Sequence, residues 1–307
     1  MAGHGRILVG TCNWADHRGF YPSGLPAGER LAHYATFFPL VEVDTTFYGI
    51  PKTHVVENWV RSTPAGFLFN VKAHRSLTFH EREDGKSRRF TPAEEREFLE
   101  CLLPLRESGK LRAVHYQFPP WFTARPGNLN YLAEIRERHP DDQVVIEMRH
   151  RSWGEKERFE QLCELLVEAR MTYCVVDQPH LGSGSMPGRV AVTNPDLAVV
   201  RMHGRNYKTW YIKGAKSSAD RFDYLYPEEE LLEWVPRVRG MADRARETHV
   251  LFNNNRSNYA VVNGLQMGRL LDLDMPDPAT VPVLVEGTQE AFAFQEEGTK
   301  VKRRSSR

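Results

Sequence analysis

Gln143-Val144-Val145-Ile146-Glu147-Met148-Arg149-His150-Arg151-Ser152-Trp153 reads as a strand with two chemically different faces. At a period of two, Val144, Ile146 and Met148 share one side, while Val145, Glu147 and Arg149 share the other. One side is apolar and the other ends in a carboxylate and a guanidinium. The same rule holds elsewhere. Val41 to Asp44 puts Glu42 and Asp44 on one side, Phe69 to Lys72 puts Asn70 and Lys72, and Val114 to Gln117 puts His115 and Gln117. Val200 to His203 contributes Arg201 and His203, and Phe252 to Asn255 contributes Asn253 and Asn255.

Working outward, strands are predicted at 6–10, 40–44, 67–72, 112–118, 143–148, 172–177, 197–203 and 249–254. Helical spacing falls at 29–38, 53–61, 92–106, 127–138, 155–169, 227–246 and 257–271. Thr91-Pro92-Ala93-Glu94 marks one helix start, since Thr91 can cap, Pro92 suits the first helical position and Glu94 completes a capping box. Eight strands alternating with helices within the usual ~250 residues predict an α/β fold of the TIM-type (β/α)8 barrel. An open doubly wound sheet is the runner-up, because the same alternation builds both. Residues 178–196 are rich in Gly and Pro, with a short extra strand read at 190–192. The barrel is therefore expected to be irregular between strands six and seven, with a loop in place of the sixth helix. A single domain spans 1–271; 272–307 is a C-terminal extension whose basic end is expected to be a solvated, mobile terminus rather than a nucleic-acid arm.

The chain has 307 residues, 41% hydrophobic and 26% charged, enough apolar material to bury a core. A formal net charge of +1 supplies no global field for nucleic acid or membrane, so recognition must come from local patches. No apolar run reaches membrane-spanning length, and residues 1–9 lack the pattern of a secretory signal, so the expectation is a soluble, cytoplasmic protein with no membrane partner. Cys12, Cys101, Cys163 and Cys174 lie far apart without a Cys-x-x-Cys pair, which suits reduced thiols.

In a barrel, the polar faces point inward, where branched aliphatic residues are the usual filling. Buried charges cost several kcal/mol unless paired, so Glu42, Asp44, Glu147 and Asp177 require Lys72, Arg149, Arg201 and charged histidines such as His74, His115 or His203 as partners. An interior ion-pair network without chemistry satisfies that requirement. A functional site satisfies it too, and most of these groups lie at strand C-terminal ends, the face where barrel enzymes build their sites.

The segments Gly10 to Trp14, Val41 to Tyr48 with Pro51, Phe69 to Ala73 with Thr78 and His80, Gln117 to Phe122, Glu147 to Trp153, Arg201 to Asn206 with Trp210 and Tyr211, and Phe252 to Asn255 together resemble the YecE-like family, domain of unknown function 72. The resemblance runs in order from about Ile7 to Leu271 and implies a TIM-barrel-like fold. It implies no reaction. Cys12-Asn13 and Asp44-Thr45 depart from the commoner Ser-Gly and Asn-Ser pairs of that pattern.

Arg75, Arg149, Arg201 and Arg205, with Lys72, suit a phosphate or carboxylate. Tyr48, Trp121, Trp153, Trp210 and Tyr211, like Trp14, follow strand ends, where rings can stack on a base or sugar or simply cover the barrel. For proton transfer, Glu147 leads, with Lys72, Asp44, Asp177 and His203 beside it. Glu42, His74, Gln117, Asn206, Asn253 and Asn255 complete the expected substrate-binding set. No cofactor motif is evident; a divalent metal on Glu42 or Asp44, Glu147, Asp177 and His203 is a second reading, against which stands the absence of metal-ligand spacing. Cys12 is more simply a buried thiol than a nucleophile. Two functions follow from these groups. The first is a hydrolase or lyase acting on an anionic, phosphorylated or sugar- or nucleotide-like small molecule; the alternative is a non-catalytic nucleic-acid binder using Lys86, Arg88 and Arg89. Oligomeric state is left open.

Overall fold

The computed structural model describes residues 4–17, 19–208, 210 and 221–281. Its elements in chain order are β1 (Arg6–Cys12), α1 (Arg30–Tyr34), β2 (Leu40–Val43), α2 (Thr53–Arg61), β3 (Leu68–Lys72), β4 (Arg82–Glu83), β5 (Lys86–Ser87), α3 (Pro92–Cys101), α4 (Leu103–Glu107), β6 (Leu111–Gln117), α5 (Pro126–Arg138), β7 (Val144–Glu147), α6 (Lys156–Glu168), β8 (Thr172–Asp177), β9 (Ala198–Met202), α7 (Glu228–Ala242), β10 (Glu247–Phe252) and α8 (Tyr259–Leu270). Eight strands close in the order β1-β10-β9-β8-β7-β6-β3-β2. Because β1 pairs in parallel with both β2 and β10, the sheet has no open edge, and the doubly wound alternative is excluded. Closure is tight at Gly10: a Cβ there would stand 2.2 Å from the Leu40 carbonyl oxygen.

Each barrel strand sends an aliphatic side chain outward under the helices: Val9, Val43, Val71, Val114, Ile146, Val175, Val200 and Val250 are all essentially inaccessible. At roughly 1.5–3 kcal/mol apiece, this outer shell is what holds a barrel whose interior is largely polar. Inside, three tiers rise from the N-terminal end. At the bottom, Glu247 accepts from Arg112 Nε (2.6 Å) and lies 2.8 Å from His249 Nε2, and His249 Nδ1 meets Asn70 Nδ2 across the barrel at 3.0 Å. Above them sit Cys12, Glu42, His115, Glu147, Cys174 and Arg201, and then the groups that border the mouth.

The capping box of α3 forms as the sequence predicts, but the expected helix at 92–106 divides into α3 and α4. Pro104 has no N–H to offer the carbonyl one turn back, so the ladder breaks there. Between β8 and β9 the described residues contain no α-helix, only a single turn at Gly182–Gly184. The strand expected at 190–192 does not form: Thr193 Oγ1 accepts from Tyr173 N (2.8 Å), so side chains tie this segment to β8 in place of a backbone ladder. The 73–90 loop folds into the β4–β5 hairpin, turned at Asp84-Gly85 with both φ angles positive. Beyond 271 the chain stays against α8, with Leu273, Met275 and Val281 packed on the core. The basic end of the chain lies outside the described residues. No helix of the described residues is long and apolar enough to cross a membrane.

Candidate functional site

Arg201 is the hub of the middle tier. Its Nη2 donates to Glu42 Oε1 (2.5 Å) and its Nη1 to Glu147 Oε2 (2.7 Å), joining β9 to β2 and β7 across the barrel. His115 lies between the same carboxylates, with Nδ1 2.5 Å from Glu42 Oε2 and Nε2 3.2 Å from Glu147 Oε2. Burial works against ionising Glu147, but Arg149 and Arg201, with His115 hydrogen-bonded to it, outweigh that and hold the carboxyl well below its usual range. Glu42 is held low in the same way, burial being overcome by Arg201 and His115. Burial also opposes the charge on His115, yet Glu42 and Glu147 raise its pKa. Glu42, His115, Glu147 and Arg201 thus form a buried, mutually neutralised layer beneath the mouth.

Above that layer opens a cavity of about 540 Å3 at the C-terminal ends of the strands. Its polar wall comes from Asp44, Lys72, Gln117, Arg149, Asn253 and Asn255, and its aromatic wall from Phe47, Tyr48, Trp121, Trp210 and Phe222. Gln117 Oε1 accepts from Arg149 Nη2 (3.0 Å) and Arg201 Nη1 (3.2 Å), and Gln178 Oε1 accepts from Arg149 Nη1 (3.0 Å). Neutral amides therefore orient Arg149 without cancelling its charge; Glu147 Oε1, 2.6 Å from Nη2, does so from below. Lys72 Nζ stands 3.9 Å from Asp44 Oδ1 and 4.5 Å from the Phe47 ring centre.

Asp44 differs from the other two carboxylates. Burial, joined by the neighbouring charge of Glu42, outweighs Lys72 and Arg201 and raises the Asp44 carboxyl above its usual range. Of the Glu42–Asp44 pair, Asp44 is therefore the carboxylate that takes up a proton first as pH falls, and it borders the cavity. His203, fully buried, hydrogen-bonds Asn253 Nδ2 through Nδ1 (2.8 Å); burial and Arg149 lower its pKa to about 3, so it is a neutral imidazole.

Not every expected group reaches the mouth. Asp44, Tyr48, Lys72, Gln117, Trp121, Arg149, Trp210, Asn253 and Asn255 border it, while Glu42, Glu147, Arg201 and His203 lie underneath. Asp177 does not converge with them. On β8, Cys174 and Gln178 meet Glu147 and Arg149, so Asp177, one residue out of step, faces the other way. There it accepts from Tyr226 OH (2.7 Å) and Arg205 Nε (3.0 Å), and Arg205 also binds Glu233 (3.0 Å). Trp153 is sealed behind the barrel, its Nε1 donating to the Phe122 carbonyl (2.7 Å). His74 caps the turn at Ser76, Arg75 pairs with Glu81 (3.1 Å), and Asn206 Nδ2 donates to the Asp223 carbonyl (2.6 Å). Tyr211 lies outside the described residues.

The cavity also gathers Asn13, Asp16, Phe47, His80, Arg221 and Phe222, none of them among the expected site residues. Asn13, Phe47 and His80 fall within the motif segments, off the alternating positions that singled out the others. Arg221 and Phe222 lie in a loop with no periodic signal. Two donor sets, Cys12–Glu42–Asp44 and His115–Glu147–Cys174, have the spacing to hold a cation. They do not fit a metal as they stand: Arg201 Nη2 is 3.3 Å from Cys12 Sγ and 2.5 Å from Glu42 Oε1, so a guanidinium occupies the place of the ion. Burial further keeps both thiols protonated. A second depression, about 340 Å3 between α8 and residues 277–279, gathers no comparable set, and its Arg269 and Asp277 pair with each other at the surface (3.3 Å).

The sequence profile of the family described as Protein of unknown function DUF72 matches residues 8–286. A Bacillus subtilis (strain 168) relative, described as UPF0759 protein YunF, is 34% identical over 274 residues, covering 87% of this chain and 95% of the relative. The crystal structure of a DUF72 family protein from Enterococcus faecalis V583 is similar at a TM-score of 0.78 and 32% identity, over 88% of this chain and 97% of that one. One from Thermotoga maritima MSB8 is similar at 0.74 and 33%, over 87% and 99%.

Proposed function

From the premise that this chain belongs to the DUF72 family, we propose that it is an acid–base enzyme, a hydrolase or lyase, acting on a small molecule that carries a phosphate or carboxylate beside a sugar- or nucleoside-like ring. One observation carries the reading: the mouth sets Lys72 and Arg149 beside a carboxyl, Asp44, that burial and Glu42 raise above its usual range. Glu42, Asp44 and Glu147 stand among Lys72, Arg149 and Arg201, with the raised His115 between two of them, so protonation of His115 or of Asp44 leaves the cluster with excess positive charge. An anion restores the balance. Bound there, it would rest beside a donor able to protonate a leaving oxygen, and the rings of Tyr48 and Trp121, both substantially exposed, offer faces for stacking. Glu147, ionised and sealed beneath the floor, serves in this reading as a positioning group for Arg149 and Arg201.

Nucleic-acid binding is the weaker reading because the central cation of its expected basic loop is already paired: Arg88 binds Glu94 (2.6 Å) and Glu81. The test is thermal denaturation of wild type, Lys72→Met and Arg149→Met over a range of inorganic phosphate. Stabilisation of wild type that both substitutions abolish supports the reading; a melting temperature unmoved by phosphate refutes it.

A further inference from the structure

We propose that His80 is the proton acceptor of this mouth, presenting an unprotonated Nε2 to a water or hydroxyl beside the bound anion, with Asp44 as the matching donor. The inference rests on the anion-site reading above and adds the second half of a proton pair.

Geometry carries it. His80 borders the cavity, its ring edge-on to Phe47 at 4.7 Å and to Trp121 at 6.0 Å. Lys72 lies against the same Phe47 ring and 3.9 Å from Asp44 Oδ1, so Lys72 and His80 share one ring and Lys72 links it to Asp44. The tautomer follows from Thr78. Its Oγ1 lies 2.8 Å from His80 Nδ1 and donates its own hydrogen to the Arg75 carbonyl (3.3 Å), and its backbone carbonyl is a further acceptor for the ring. With Thr78 Oγ1 as its acceptor, Nδ1 carries the hydrogen, which leaves the lone pair on Nε2. The intervening Phe79 is held at φ 59°, left-handed and costly for a bulky residue, with its carbonyl receiving Trp121 Nε1 (3.0 Å). That backbone turn sets both His80 and Trp121 at the mouth.

In the empty site His80 is a poor base. Burial, then Lys72 and Arg149, depress its pKa to about 3, with Glu147 and the Thr78 carbonyl opposing. An anion between Lys72 and Arg149 cancels the repulsion of those two cations, so ligand binding itself raises the basicity of Nε2. In hydrolysis, a water proton passes to Nε2 as the water oxygen bonds the electrophilic carbon or phosphorus. The bond to the leaving oxygen breaks with its electron pair, and that oxygen takes the Asp44 proton. Imidazolium and carboxylate then exchange one proton through solvent to reset the pair.

The experiment is 15N NMR of histidine-labelled protein across pH 4–8, with the His80 signals assigned by His80→Asn, in the absence and presence of saturating inorganic phosphate. The expected result is a neutral Nδ1–H imidazole throughout that range without phosphate and a midpoint inside it, above pH 4, with phosphate. An Nε2–H tautomer, or an imidazole that still shows no midpoint above pH 4 in phosphate that does stabilise the protein, overturns this inference alone. Absence of any phosphate stabilisation of wild type overturns the anion-site reading and this inference with it.

Discussion

Glu147→Gln removes one charge and keeps the shape, and the surroundings of Glu147 make the consequence large. Oε2 accepts from Arg201 Nη1 at 2.7 Å and faces His115 Nε2 at 3.2 Å; Oε1 is 2.6 Å from Arg149 Nη2. These neighbours are donors. Whichever way a glutamine amide turns, its NH2 points at a guanidinium. Breaking a buried ion pair by neutralising one partner costs roughly 3–5 kcal/mol, because the other charge stays buried. For a domain of this size that is a fall in melting temperature of roughly 6–20 °C. Urea melts of wild type and variant at pH 7 measure it, with unchanged m values showing that stability alone has altered. The pH dependence supplies a second check. The Glu147 pKa is depressed in the folded state, so its contribution is complete above the unfolded value of about 4.3 and is lost as pH falls toward the folded value. The gap between wild type and variant should therefore narrow below about pH 4. A loss under about 1 kcal/mol at pH 7 would refute the reasoning, since it would mean that Arg149 and Arg201 do not depend on this carboxylate.

Asp44→Asn mimics the protonated acid, so stability and phosphate binding should stay within about 1 kcal/mol of wild type, while turnover of a substrate, once one is found, falls about 10²–10⁴-fold; a large loss of stability would show instead that Asp44 is ionised in the fold. Gly10→Ala should destabilise the barrel seam by more than about 2 kcal/mol, because the Cβ meets backbone and not a movable side chain, and a denaturant melt with wild-type midpoint would contradict this. Burial lowers His17 to about 4 and His203 to about 3, so the stability they confer is complete above about pH 6.5 and declines as pH falls, by about 1.4 kcal/mol per unit each. His115, with its raised pKa, runs the opposite way, stabilising below about 6.5 and losing that contribution as pH rises. Melts from pH 8 to 4 should show a net decline below pH 6.5, and a flat profile would argue against neutral burial of the first two. Arg88→Ala with Arg89→Ala should leave DNA binding weak and steeply salt-dependent; tight binding at physiological salt that these changes abolish would reverse the ranking of the two functions.

The alternation of apolar and polar residues along strands such as 143–149, with eight strands counted between helices, put the parallel barrel ahead of the doubly wound sheet and showed which side chains turn inward, because the two faces of a barrel strand meet different media; closure of β1 on β10 decided between the two folds. The gap between strands six and seven was legible for a similar reason, since residues 178–196 lack helical spacing. Parity at strand ends was less secure. A single residue separates Asp177 from Gln178, and only the packed barrel shows that the amide and not the carboxylate faces Arg149. Nor could the pattern tell the sealed Glu147 from the cavity-bordering Asp44, since depth along the barrel axis depends on strand stagger, a property of eight strands together. His80, Arg221 and Phe222 come from loops whose paths are set by contacts with distant segments, such as the bond from Trp121 Nε1 to the Phe79 carbonyl. Local sequence determined the identity of the charges and the face they occupy; the tertiary structure decided which of them share a proton and which can meet a ligand, because both depend on distances and burial created only when the sheet closes.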